Sequence, residues 1–460
     1  VSGAWLLLSV ALAGPVGWRL DGSAVAVAAS PPVSWSVAQA QWRADLPSPG
    51  HASPVPVGEL LCTLSEPDRL VCVERSTGRQ RWSDVLSVES VLVGAAREAY
   101  LRDRAEAARV QAELVTLQRS QAELLRQARR SAGDPAVARA VQEGSTRLDA
   151  LKARLDALSV AAPEVVPEIG LAAATPVSDG RTLVSLLGTG VLAAHGVDGA
   201  RRWAVRLPAA PSTMRGYRGG RTASPLWVDD VLIVAFGELR GVSAATGQVL
   251  WSAGVYRDYG TPAVARVGGV AVLFTPDGRA LRVKDGVELA SGLGDLWYQG
   301  PHVDGEVVYY VGRTGDGPLD GPVHAQAWRL SLADQRLRAV SVWQRDLPTR
   351  ERITATPLSY RGKLIVVSAE GQLVVLDQAT GAVVREARLE VPVAGKVYRS
   401  PVVAGDTLFV GFDTGYVVAL DAVSFAVRQV SALPKGLATP WFEGSKVYLR
   451  TDEALWCLSR

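Results

Sequence analysis

The residues best suited to chemistry in this chain are arginines and aromatics that gather ahead of a recurring small-residue–proline step. Arg215, Tyr217, Arg218 and Arg221 come first, then Tyr256, Arg257 and Tyr259, then Trp297 and Tyr298, then Arg350 and Arg352, then Tyr398 and Arg399, with Lys435 last. A guanidinium offers a planar fork of donors, and a Tyr or Trp ring offers a rigid apolar face with a polar edge. Side chains of this kind are enriched where proteins meet their partners. If the loops that carry them share one face of the molecule, Tyr217, Arg218, Arg221, Tyr256, Arg257, Tyr259, Trp297, Tyr298, Arg350, Tyr398 and Arg399 form a rim suited to a protein partner. The same surface would also suit an acidic peptide or a glycan.

Other reactive groups are sparse. His51, His195, His302 and His324 include no pair at ligand spacing, which leaves zinc chemistry unsupported. Asp316 and Asp320 sit in a Gly-Asp loop that reads as a solvated turn rather than a cation site. Cys62 and Cys72 flank the turn Glu66-Pro67-Asp68 and so face each other on paired strands. A cross-strand disulfide and a pair of neighbouring buried thiols both fit that placement. Cys457 has no evident partner. No catalytic, cofactor-binding or metal-binding residue is assigned. With 49 basic and 46 acidic residues, the chain as a whole makes no case for a nucleic-acid partner.

The elements that must position these residues repeat. Eight openings of a small residue and proline occur at Ser53-Pro54, Thr175-Pro176, Ser224-Pro225, Thr261-Pro262, Gly300-Pro301, Thr356-Pro357, Ser400-Pro401 and Thr439-Pro440. After the first gap they lie 37 to 56 residues apart, the length of one four-stranded propeller blade. In one copy, residues 363–368 and 373–377 are short, almost continuously apolar strands, which predicts burial on both faces. Turns at Thr77-Gly78, Thr246-Gly247 and Thr380-Gly381, with relatives at Asp198-Gly199 and Asp285-Gly286, supply glycine where a tight hairpin needs positive φ. Trp82, Trp203 and Trp251 follow Gly78, Gly199 and Gly247 by four residues and read as cement between blades. The Trp-to-Leu-Pro pattern of residues 203–208 and 343–348 also occurs at 42–47, ahead of the first repeat. The segment around Trp42 therefore completes the last repeat, which otherwise stops short, and removes two sheet edges.

The first gap, 122 residues, is long because it holds helices. Val110, Leu114, Leu117, Gln121, Leu124 and Ala128 alternate spacings of four and three, and Val137, Val141, Leu148, Leu151, Leu155 and Leu158 form a second heptad stripe after Asp134-Pro135. The prediction is an antiparallel coiled-coil hairpin over 94–160, either a docking or self-association arm or an insertion folded onto the ring. Residues 4–13 are apolar at signal-peptide length, and Ala26-Val27-Ala28 offers a small-x-small cleavage site. The organisation expected is a signal peptide over 1–30, a closing strand and first blade over 34–93, the hairpin over 94–160, and the remaining blades over 161–460. No later segment reads as transmembrane.

Residues 72–82 (C-V-E-R-S-T-G-R-Q-R-W), 241–251 (G-V-S-A-A-T-G-Q-V-L-W) and 375–385 (V-L-D-Q-A-T-G-A-V-V-R) resemble the blade motif of the quinoprotein-type repeat family. That resemblance implies an all-β, eight-bladed β-propeller carrying the helical hairpin as an insert. The family includes quinone-dependent dehydrogenases and non-catalytic scaffolds of the outer-membrane assembly type. The dehydrogenases use a vicinal Cys pair and a hard cation held by carboxylate and amide oxygens; this chain has no adjacent cysteines and no Asn. The expectation is a non-enzymatic, cofactor-free scaffold that binds a protein partner in the periplasm or cell envelope. The alternatives are a divergent quinone-dependent dehydrogenase or a carbohydrate-binding propeller.

Overall fold

The computed structural model describes residues 14–130, 134–163, 165–166, 169–208, 221–256, 259–313, 321–333 and 336–459. Among these, eight sheets follow one another, seven of four strands and one of five. They are numbered one to eight here by first strands beginning at Val55, Val177, Leu226, Ala263, His302, Leu358, Val402 and Trp441. Each is built on antiparallel strands that follow one another, with a parallel strand added to sheet seven and the outer strand of sheet eight supplied from residues 40–45. Burial follows the apolar runs: all six residues of Leu60–Ser65 in sheet one are buried, whereas Val383–Arg388, the outermost strand of sheet six, is almost wholly exposed. The molecule is mostly β with a helical insert.

Sheet eight is built from both ends of the chain. Ala40–Asp45 pairs antiparallel with Ala454–Leu458, setting Trp42 against Cys457 and Ala44 against Leu455. Arg450 then donates to the Leu64 carbonyl of sheet one at 2.9 Å, and Arg75 of sheet one donates to Glu443 of sheet eight at 2.6 Å. Sheet eight thus lies beside sheet one.

Neighbouring sheets are joined by tryptophan and glycine. The indole N–H groups of Trp42, Trp82, Trp203, Trp251 and Trp343 donate to carbonyls of Arg75, Val197, Ala244, Val283 and Gln378, each on the next sheet. Each ring covers the turn glycine of that sheet: a Cβ on Gly247 would lie 2.6 Å from Trp203, and one on Gly381 would lie 2.5 Å from Trp343. Those glycines also have φ near +70°, so both the fold of the turn and the packing above it require them. Sheet six has Arg385 at the tryptophan position, paired with Val375 as Trp82 is paired with Cys72. Opposite it in sequence register, Phe425 of sheet seven takes the glycine position, at φ +59° and buried.

The helical insert is an antiparallel hairpin of Gly94–Arg130 and Pro135–Ala157. Asp134 caps the second helix by accepting from the Ala136 and Val137 amides. Val110, Leu114 and Leu151 form a small core of their own with Leu117, Leu148, Leu155 and Leu158. The helices are unequal, 37 and 23 residues, so the paired arm is about 35 Å long at 1.5 Å per residue. The surplus of the first helix is its root, where the Arg206 guanidinium sits 5.1 Å from the Tyr100 ring. Beside this root Arg201 donates to Asp84 at 2.7 and 2.9 Å, and Asp84 also bonds His195 at 2.8 Å. Burial holds the His195 imidazole below its usual pKa despite that carboxylate.

Cys62 and Cys72 are cross-strand partners and form a disulfide; Cys457 is a buried free thiol. No helix among the described residues is long and apolar enough to cross a membrane. The apolar run 4–13 lies outside the described residues. Residues 14–30, the later part of the expected 1–30 leader, pack against the sheets: Val25–Ala26 adds to sheet seven as a fifth, parallel strand on Val403 and Ala404.

Candidate functional site

The small residue of each opening has a specific task. The backbone N–H of Ser53 donates to the Thr175 hydroxyl at 3.1 Å, Thr175 to Ser224 at 3.0 Å, and Ser224 to Thr261 at 3.0 Å. Gly300 donates to Thr356 at 3.2 Å, Thr356 to Ser400 at 3.3 Å, and Thr439 back to Ser53 at 3.0 Å. Six of the eight sheets therefore hand a hydrogen bond to the next, the eighth to the first among them. Gly300 breaks the pattern for a steric reason: a Cβ there would lie 1.8 Å from the Thr261 carbonyl oxygen.

All eight openings line one cavity of about 670 Å³. The following proline then turns each chain outward into its first strand. Tyr259, Tyr298, Arg352 and Tyr398 form its wall toward one mouth. The Tyr259 and Tyr298 rings meet edge to face at 5.6 Å, Trp297 meets Tyr298 at 6.4 Å, and the Arg352 guanidinium lies 5.2 Å from the Tyr298 ring. Tyr398 is 49% exposed. Burial, with Tyr298 nearby, raises the Tyr259 phenol above its ordinary pKa, so it stays a neutral donor. This arrangement can grip a flat or aromatic group and offer it cationic donors.

The structure divides the residues picked from sequence. Tyr259, Trp297, Tyr298 and Tyr398 belong to this mouth, with Arg352 among them. Arg399 lines the cavity but is buried: it donates to the Phe412 carbonyl at 3.1 Å, and desolvation lowers its pKa to about 10. Arg221 is buried with its guanidinium 5.0 Å from the Phe236 ring. Tyr256 is buried and its hydroxyl donates to the Gly260 carbonyl. These three serve the loops rather than a surface. Arg350 is exposed but does not line the cavity. Tyr217, Arg218 and Arg257 lie outside the described residues, as do Asp316 and Asp320. Sequence reasoning missed Trp18, which lines this cavity and also a second one of about 430 Å³ beyond it. Its position in an assumed leader hid it.

A quinone with a hard cation would need several carboxylate and amide oxygens converging on one point. The larger cavity offers one carboxylate, Asp413, whose oxygen already accepts from the Lys396 amide, and one amide side chain, Gln299, whose nitrogen donates to the Val311 carbonyl. Among the described residues no group of three or more His, Cys, Asp or Glu could hold a metal ion. The residues present do not fit that group.

The family model described as "Outer membrane protein assembly factor BamB" matches residues 37–184, 169–341 and 325–428. The chain belongs to this family of PQQ-type repeat propellers. The crystal structure of BamB from Moraxella catarrhalis is 18% identical, covers 62% of this chain and 83% of its own, and superposes with a TM-score of 0.45. The computationally designed Ika8 protein is 12% identical, covers 61% of this chain and 93% of its own, with a TM-score of 0.39. No curated protein matches the chain. The family match starts at residue 37 and so leaves out the segment that carries Trp18.

Proposed function

We propose that this chain is a non-enzymatic, exported, eight-bladed propeller that works as a binding scaffold in the periplasm or cell envelope, in the assembly of outer-membrane proteins. The observation that carries the reading is the open aromatic and cationic wall of Tyr259, Tyr298, Arg352 and Tyr398 at the cavity mouth. Membership of the family described by an outer-membrane assembly factor supports the same reading. The partner is a protein that presents an aromatic or acidic segment to that wall. The hairpin, with its own core and an exposed polar face, is a second docking or self-association element.

The test is a cross-linked pull-down from the native envelope. It compares the whole chain, a Tyr298→Ala/Arg352→Glu variant and a chain lacking 94–160, and extracts each eluate for quinone. A specific protein captured without quinone, and lost with the mouth variant, is the expected result. Stoichiometric quinone with no partner would overturn the scaffold reading in favour of an oxidoreductase.

A further inference from the structure

Residues 14–30 run across one end of the ring. The Val16 amide donates to the Ser178 carbonyl and Ser178 returns the bond, both at 2.7 Å, which ties the segment to sheet two. Arg19 reaches sheet six, donating to the Pro357 carbonyl at 2.6 Å with its side chain 1% exposed. The Val403 and Gly405 amides of sheet seven donate to the carbonyls of Ala24 and Ala26, and Ser30 donates to Gly444 of sheet eight. The segment therefore bonds four of the eight sheets within seventeen residues. Val16, Leu20 and Ala24 are buried, and Trp18 forms a wall of both cavities.

The backbone here is costly. Arg19, Leu20 and Ala24 all sit at positive φ (54°, 68° and 61°) although none is glycine. Such conformations persist only where the surroundings fix them. The ring also makes room: a Cβ on Gly17 would lie 2.8 Å from the Pro176 carbonyl oxygen, and one on Gly405 would lie 2.5 Å from the Ala29 carbonyl oxygen. A leader cut after Ala28 would remove the contacts to sheets two and six, strip the fifth strand from sheet seven and take away Trp18, the wall the two cavities share.

We propose that residues 14–30 are a permanent plug of the channel, and that processing of the exported chain takes place ahead of Gly14, at the small-x-small step Ala11-Leu12-Ala13, rather than at Ala26-Val27-Ala28. The larger cavity is then closed on this side and lined toward its other mouth by Tyr298 and Tyr398. The processing half rests on the export reading above; the plug half does not.

Protein isolated from its native cells by fractionation should show, by intact mass, an N-terminus at Gly14. In the same sample native trypsin should leave the bond after Arg19 intact while cutting within 126–130 at the tip of the hairpin. An N-terminus between Val27 and Ser34 would overturn the proposal. An uncut chain confined to the cytoplasm would sink export and the processing site with it, and the trypsin pattern would still decide the plug: cutting after Arg19 as fast as at the hairpin overturns it. Arg19→Glu supplies the second measurement. It should expel the segment and speed deuterium exchange at the Val403 and Gly405 amides by at least about tenfold, while the Leu408 and Val410 amides of the same sheet hold. Unchanged exchange at Val403 and Gly405 would count against the plug.

Discussion

Phe425 and Arg385 show how one exchange can compensate another. At five junctions a tryptophan covers a turn glycine on the next sheet; here the indole is replaced by Arg385 and the glycine by an aromatic ring held at positive φ. Phe425→Gly alone should cost about 2–4 kcal/mol, because it leaves a cavity and only partly regains by relieving the backbone. Arg385→Trp alone should crowd Phe425 and cost about 1–3 kcal/mol. The double variant should recover at least about 1 kcal/mol relative to the sum, read from urea midpoints in a double-mutant cycle. Additive losses would mean that the two positions do not share one contact.

His302 supplies a pH dependence at the same scale. Its ring is buried, stacked 6.2 Å from Tyr309 and close to Arg19, and desolvation first and that guanidinium second hold its pKa well below the usual value. The unfolded chain binds a proton near the ordinary histidine pKa and the folded chain does not. Stability should therefore be fully present above pH 6.5 and fall as the pH drops below it, at up to about 1.4 kcal/mol per pH unit for this group. His302→Gln should flatten the fall in melting temperature between pH 6.5 and 5. An unchanged slope would assign the dependence to other groups, His195 first.

At the scale of elements, the disulfide and the hairpin give distinct expectations. The bond between Cys62 and Cys72 closes a short loop, while Cys457 is buried. Alkylation in denaturant without reductant should modify one cysteine, and three after reduction, as counted by mass. Three modified cysteines without reductant would mean the pair remains as thiols. Much of this level was legible in the sequence. The four–three spacing from Val110 to Leu158 and the Asp134-Pro135 start locate the hairpin, because a seam and a cap are local signals. The rim was harder to read. Tyr256, Arg221 and Arg399 share composition with Tyr298 and Arg352, but whether a loop side chain turns inward depends on distant backbone: the Gly260 carbonyl, the Phe236 ring and the Phe412 carbonyl. Residues 14–30 were illegible for another reason. Small apolar residues that pack closely against a channel wall have the same composition as a leader.

At the scale of the molecule, closure rests on Ala40–Asp45. Deleting residues 34–47 should abolish the cooperative thermal transition or the solubility of the chain, since it opens the outer edge of sheet eight and removes Trp42 from Gly78. A melting curve like that of the intact chain would show that the ring holds without this strand. The Ser, Thr and Gly openings were plain in the sequence as a period, yet their chemistry was not, because the bonded hydroxyls meet amides 37 to 386 residues away on another sheet.

Those openings have an electrical consequence. All six N–H groups in the relay point the same way around the ring, from a sheet to its successor, with Thr439 to Ser53 among them. Dipoles that follow one another around a circle largely cancel, leaving about the moment of a single bond where two links are missing, unlike those of a helix, which add. The relay therefore fastens the sheets together without charging the pocket it encircles. Attraction or repulsion of whatever enters is left to the few ionised groups at its wall, Arg352, Arg399 and Asp413, so a change of one charge there should redirect the choice of ligand while the circle of hydroxyls stays intact.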